Sequence, residues 1–526
     1  MEPEDSKYNP VENTDGSTPP SSVAGRGETG LLQMLLELLE DVNLDQVKTK
    51  SGRTALSWAA ERGYEALVML LLEREDANPN TADTQDGRTP LSLAAEHGYD
   101  GIVKRLLERD DIIPDRADAT TGRTPLSWAA EGGHEGAVKM LLERKDVNPN
   151  QRSAQSGSTP LVWAAQRGRA EVAKLLLKRE DISPDQADTE SGRTPLSWAA
   201  GGGHDETVEV LLERKDINPN QGDTKSGSSP LLWAAWHGQT RVVKLLLERE
   251  DISPDKADTE SGRTPLSWAA GCGNEGAMEM LLGREDVNPN QTDAKYGRTP
   301  LSFAAERGHE GAVKVLLGRE DVDPNQGDTK SGFSPLLWAA RRGETGVVKL
   351  LLGREDINSD QADTKSGRTP LSWAAGDGHG GVVKVLLERE DINPNQRDTS
   401  SGCSPLGWAA WCGQNRVVRL LLERQDVNPS QTETASGQTP LSWAAKRGHD
   451  GIVKMLLERI NASITSSDNK GYTSPSLALS KRCDRAVQTI PEWGNLNADP
   501  QAPLPPSAGH EDSVCPITPP TLPEEH

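Results

Sequence analysis

The stretch "GRTPLSWAAEGGHEGAVKMLLERKDVNPNQRSAQS" occupies residues 122–156, and its reading decides the fold. Thr124 can cap a helix, because its hydroxyl accepts from the free N–H groups of a first turn. Pro125 follows where a helix tolerates proline, with φ already set and no donor needed. Leu126, Ala129 and Ala130 recur at i, i+3 and i+4 and make one apolar stripe, and the two alanines let another helix come close. Gly132 and Gly133 end the helix, one of them expected in the left-handed conformation. Residues 134–145 predict a second helix with Ala137, Val138, Leu141 and Leu142 on its apolar face. Residues 146–156 carry the Asn, Pro and Ser chemistry of turns and return the chain, with Val147 as a lone apolar anchor. Neither helix is long enough to persist alone in water, so each must bury its stripe against neighbours.

Those neighbours are further copies. The opening glycine stands at Gly52, Gly87, Gly122, Gly157, Gly192, Gly227, Gly262, Gly297, Gly332, Gly367, Gly402 and Gly437, always 35 residues apart. A fixed period of this length is the signature of a solenoid. The modest hydrophobic content, 34% over 526 residues, fits a stack in which each unit buries a thin slice of core.

The segment "TPLSWAAEGGHEGAVKMLLERKDVN" resembles the ankyrin repeat, and the resemblance covers about residues 27–470. It implies an all-α ankyrin-repeat solenoid of stacked helix-turn-helix units with long finger loops and disordered termini. The period exceeds the family's usual one by two residues, which fall after the D-V-N segment and lengthen the finger loops. Where the family carries a histidine that helps bridge neighbouring fingers, this chain has Ser127, Ser197, Ser267, Ser372 and Ser442, so the bridging must be made differently. Repeats of 35 residues with tryptophan before Ala-Ala resemble those common in filamentous fungi. The expected division is a disordered tail over residues 1–26, a half-repeat cap over 27–51 and twelve repeats over 52–470. A degenerate cap over 471–486 and a disordered, proline-rich tail over 487–526 complete it.

Little in the chain is arranged for chemistry. His134, His204, His309, His379 and His449 open second helices, one repeat or more apart and without partners at ligand spacing, so they read as structural. Acid pairs such as "ERED" recur in every exposed loop and read as a solvated edge rather than a general acid and base. Calcium-loop, phosphate-loop, nucleophile-elbow and kinase signatures are missing from the sequence. No enzyme, cofactor or metal is expected. The net charge of −22 disfavours nucleic acid and anionic membranes and favours, if anything, a basic partner. Five irregularly spaced cysteines suit a reducing compartment. The acidic N-terminus does not read as a secretory signal, "LLQMLLELLE" (residues 31–40) is too short to span a bilayer, and the sequons at Asn290 and Asn461 read as chance. A cytosolic or nuclear protein is expected.

Tryptophan precedes Ala-Ala at Trp58, Trp128, Trp163, Trp198, Trp233, Trp268, Trp338, Trp373, Trp408 and Trp443, with Leu93 and Phe303 in the same slot elsewhere. The apolar replacements favour a hydrophobic ladder between first helices over an aromatic groove for nucleobases. The two residues after Ala-Ala vary freely while their surroundings stay fixed. The resemblance places this pair on the concave face, where it would form a strip for binding a protein or peptide. Its candidate contacts are Arg167, Trp236, His237, Arg307, Arg341, Arg342, Trp411, Cys412, Lys446 and Arg447, with Trp236 and Trp411 as exposed anchors. The leading expectation is a non-enzymatic, monomeric scaffold. The alternative is a regulatory or sensor subunit serving a nucleotide-binding or kinase effector on another chain.

Overall fold

A computed structural model of the chain describes residues 19–38, 52–74, 77–434 and 437–460. These residues hold 26 helices, which follow one another as thirteen hairpins, and no strand. The chain forms two compact units, Met1–Lys330 and Ser331–His526. Within each unit first helices pack on first helices of the adjacent hairpins, and second helices on second helices. This is the all-α ankyrin solenoid that the repeat implies.

The repeat quoted first shows why the elements form where they do. Its helices are Pro125–Gly132 and Glu135–Glu143. Thr124 caps the first from an extended conformation, accepting from the Ser127 backbone N–H at 3.3 Å. The Ser127 hydroxyl lies 3.2 Å from that of Thr124, so the serine in the family's histidine position turns inward onto the cap. Gly133 ends the helix at φ 83°, a left-handed conformation that favours glycine. Gly122 has φ 68°, and a Cβ there would also collide with the backbone nitrogen of Ala154 in the next loop. Two constraints therefore hold the opening glycine. Leu126, Ala129, Ala130, Ala137, Val138 and Leu141 are fully buried, Val147 anchors the loop as expected, and Leu142 is only half-buried.

Adjacent finger loops are joined backbone to backbone. Ala154 N–H donates to the Thr121 carbonyl, Thr189 to Ser156 and Thr259 to Ser226, at 2.9, 2.9 and 2.7 Å. This replaces the bridging histidine of the family. On the other side, the loop after the second helix is closed by an arginine clasp. Arg144 grips Asp146 through two hydrogen bonds and donates from Nη1 to the Leu107 carbonyl of the preceding repeat, 3.0 Å away. Arg179 and Arg214 repeat it on the carbonyls of Leu142 and Leu177. The aspartate of the "ERxD" segment, expected as plain solvated edge, is thus also a clasp partner.

The histidines are structural in a way the sequence did not specify. His134 Nε2 meets the Glu96 carbonyl at 2.8 Å, and His204 and His379 meet the carbonyls of Gln166 and Arg341. Each ties the start of a second helix to the end of the first helix one repeat earlier.

The N-terminal boundary requires a correction. Disorder was expected through residue 26, but Pro19–Arg26 is a helix, followed by a second over Thr29–Leu38. Val23, Ala24 and Leu32 are buried, and the first of these helices packs on the helix Ala55–Arg62. The cap is therefore a whole hairpin. Residues 18–27, "TPPSSVAGRG", are a worn copy of the repeat's opening phrase. Serine and a second proline replace tryptophan and leucine, and that hid the match. The expected C-terminal cap and tail lie outside the described residues.

Candidate interaction surface

The surface at the ends of the first helices is built on the tryptophan ladder. Six of the ladder indoles, Trp233 among them, are anchored by the loop that precedes them. Trp128, Trp198, Trp268, Trp373 and Trp408 donate from Nε1 to Asp118, Asp188, Asp258, Asp363 and Asp398, at 2.8–3.2 Å. Those aspartates also accept from backbone N–H groups of their own turn, as Asp188 does from Ser191 and Arg193. Trp163 differs: Ser153 stands at the aspartate position, and the buried Trp163 N–H has no partner.

The ladder is not purely hydrophobic, which the sequence reading missed. The arginine after the opening glycine inserts between successive rings. Arg123 lies 3.7 Å from the Trp128 centroid and 3.9 Å from that of Trp163. Arg193 lies 4.0 Å from both Trp198 and Trp233, and Arg368 lies 3.9 and 4.1 Å from Trp373 and Trp408. A planar guanidinium between two indole faces gains cation–π attraction on both sides. The signal was in the sequence, as the arginine after the opening glycine recurring five residues before half of the ladder tryptophans.

Four of the five repeats without this arginine place other side chains at the joint. Following Ser228, Trp236 stacks on Trp233 and Trp268 with centroids 5.2 and 4.5 Å apart. Following Cys403, Trp411 meets Trp443 edge-on at 4.0 Å, with Arg447 over its ring at 3.9 Å. In the repeat of Phe333, that ring lies against Trp338 and Trp373, and Arg341 approaches Trp373 at 4.8 Å. In the repeat of Gln438, the Lys446 ammonium lies over Trp443 at 5.0 Å. Where the arginine is present, the first residue after Ala-Ala is either glutamate or glycine. Glu61, Glu96, Glu131 and Glu306 form ion pairs with Arg53, Arg88, Arg123 and Arg298. Gly201, Gly271 and Gly376 instead leave room for Arg193, Arg263 and Arg368 to fold back and donate to the carbonyls of Ser197, Ser267 and Ser372.

The variable pair thus divides. Its first position belongs to the joint. Trp236, Arg341 and Trp411 are half-buried there, not the exposed anchors expected of Trp236 and Trp411, and Lys446 lies exposed over its ring. The second position faces outward. Arg167, His237, Arg307, Arg342, Cys412 and Arg447 are exposed, as are Arg62, His97 and Asp377, which the candidate set omitted. Of these nine side chains seven are basic and one is acidic, an inversion of the chain's overall balance. Arg167 reaches back to Glu131 at 2.8 Å, Arg307 donates to the Gly271 carbonyl at 3.1 Å, and His237 Nδ1 meets the Trp233 carbonyl at 2.9 Å. Among the described residues no group of three or more His, Cys, Asp or Glu is placed to hold a metal ion, and no helix is long and apolar enough to cross a membrane.

A family model described as ankyrin repeats in three copies matches the chain in eleven overlapping stretches, from residues 5–83 through 145–223 and 276–363 to 406–500. No curated protein matches it.

Proposed function

Because the chain belongs to the ankyrin-repeat family, whose repeats are protein-interaction modules, we propose that it is a non-enzymatic scaffold binding a protein or peptide through the second positions of the strip. The carrying observation is the division within the variable pair. The first residue varies in step with the arginine eight positions before it, and packing accounts for that variation. The second does not follow the arginine, and in nine of the twelve repeats it is an exposed side chain. Freedom that packing does not use is where a binding specificity can be written. Within each unit the strip lies at the ends of the first helices, on the side that is concave in this family. Its cationic side chains favour a partner that presents carboxylates, against the basic partner suggested by net charge.

Two variants test the reading, one in each unit: His237→Ser with Arg307→Ser, and Arg342→Ser with Arg447→Ser. Proteins captured by the full chain from the native cell are compared with those captured by each variant. Loss of a captured protein at unchanged melting temperature supports the strip. Capture that both variants leave intact defeats it. The native mass of the complex separates a scaffold from a regulatory subunit bound to an effector chain.

A further inference from the structure

Repeats that carry the inserted arginine differ in whether a glutamate or a glycine stands eight residues on. In four the glutamate is present and pairs with the arginine. In the repeat of Arg193, Gly201 stands at the glutamate's place. Arg193 there gives one hydrogen bond, from Nη2 to the Ser197 carbonyl at 2.7 Å. Its guanidinium is held flat between Trp198 and Trp233, and burial against those rings draws its pKa down to about 10. Asp188 and Asp223 act on it electrostatically, but both are engaged elsewhere. Asp188 accepts from Ser191, the Arg193 backbone and Trp198, and Asp223 from Ser226 and Trp233. A cation so placed forms a stronger pair with an arriving carboxylate than one in open water, because its hydration has already been lost and its geometry is fixed.

Arg193 is half-buried, and the strip side beside it carries little cover. Gly201 puts no side chain over the guanidinium, and a Cβ there would come within 2.5 Å of Nη2. Gly202 beside it is exposed, as are Arg167 one repeat before and His237 one repeat after.

We propose that Arg193 receives a carboxylate from an acidic segment of the protein partner, completing from outside the ion pair that Glu61, Glu96, Glu131 and Glu306 complete from within. This rests on the binding reading above and names the chemistry of the partner.

The probe is fluorescein-labelled deca-glutamate, titrated by anisotropy against the full chain at fixed moderate salt, with deca-lysine as the opposite-charge control. Arg193→Gln removes the receiving group, and Gly201→Glu supplies the missing carboxylate from within. Each is expected to weaken deca-glutamate binding about tenfold. Gly201→Glu is further expected to raise the melting temperature, so a loss of binding there is not a loss of fold. Binding unchanged in both variants, no binding to the unmodified chain, or preference for deca-lysine overturns the proposal. If His237→Ser with Arg307→Ser abolishes partner capture while Gly201→Glu leaves deca-glutamate binding intact, the strip stands and this assignment falls.

Discussion

At the scale of single residues, the chain shows how one substitution forces another. Asp118 and its equivalents satisfy two demands at once, the N–H groups of their own turn and the indole N–H ten residues on. Ser153 meets only the first, through its hydroxyl to the Ser158 backbone N–H at 3.1 Å. Ser153→Asp should therefore give Trp163 its missing acceptor and raise stability by about 1 kcal/mol, the net worth of one buried hydrogen bond. Chemical denaturation of the full chain, or of a set of repeats around residues 122–226, reads the change. A variant no more stable than the parent would show that the orphaned N–H is satisfied by water. The helix caps, the closing glycines and the buried stripe were legible from residue chemistry, because each depends on groups within one turn. The insertion of Arg123 between two rings was not. It joins Arg123 to a tryptophan in the next copy, and reading one repeat at a time does not bring the two together.

At the scale of the element, the finger loops alternate between two ties that look alike. Asn150 accepts from the Ser183 N–H and donates to the Asp181 carbonyl, and Asn220 does the same with Ser253 and Asp251. Asp115, Asp185, Asp255 and Asp360 hold the same place in other repeats. Each accepts from one N–H, of Asn148, Asn218, Asn288 and Asn393 respectively, but Oδ1 is buried without a partner. Burial pushes all four carboxyls above the ordinary aspartate range. The neighbouring Asp146, Asp216, Asp286 and Asp391 add to the effect, and Arg179 opposes it at Asp115. With the folded pKa above the unfolded value, the contribution of these groups to stability is fully present below about pH 3.9. It is lost as pH rises through the folded pKa. At neutral pH they are therefore a cost. Replacing all four by Asn should raise the melting temperature at pH 7 relative to the parent, and the difference should shrink on acidification. A gain that persists undiminished at pH 3.5 would assign it to something other than the carboxylate charge. The worn first helix Pro19–Arg26 was missed at this scale as well, since the tryptophan that marks the element elsewhere is serine there.

At the scale of the molecule, every tie described runs within a repeat or to the next one: finger bridge, arginine clasp, histidine tie and ring sandwich. Loss of residues 122–156 leaves Arg88 facing Trp163 in place of Trp128 and rejoins like surfaces. Loss of residues 1–51 bares the face of the helix Ala55–Arg62 on which the cap packs. The cap deletion should lower the melting temperature more than the internal one, and equal melts would contradict nearest-neighbour stacking. The solenoid was plain from the period alone. The strip was legible as variation, but its division into a packing residue and an outward one required coordinates, because both positions vary and only burial separates them.

In nine of the twelve repeats the matched positions, arginine with glutamate or glycine and small residue with tryptophan, lie eight residues apart inside one unit. A gene segment that copies the unit therefore copies its whole compatibility rule, and no second change elsewhere is needed for the copy to dock. Lengthening or shortening by 35 codons is then a silent event for folding and an audible one for recognition, since each added unit brings its own outward residue. Such a protein can change what it binds by editing its length.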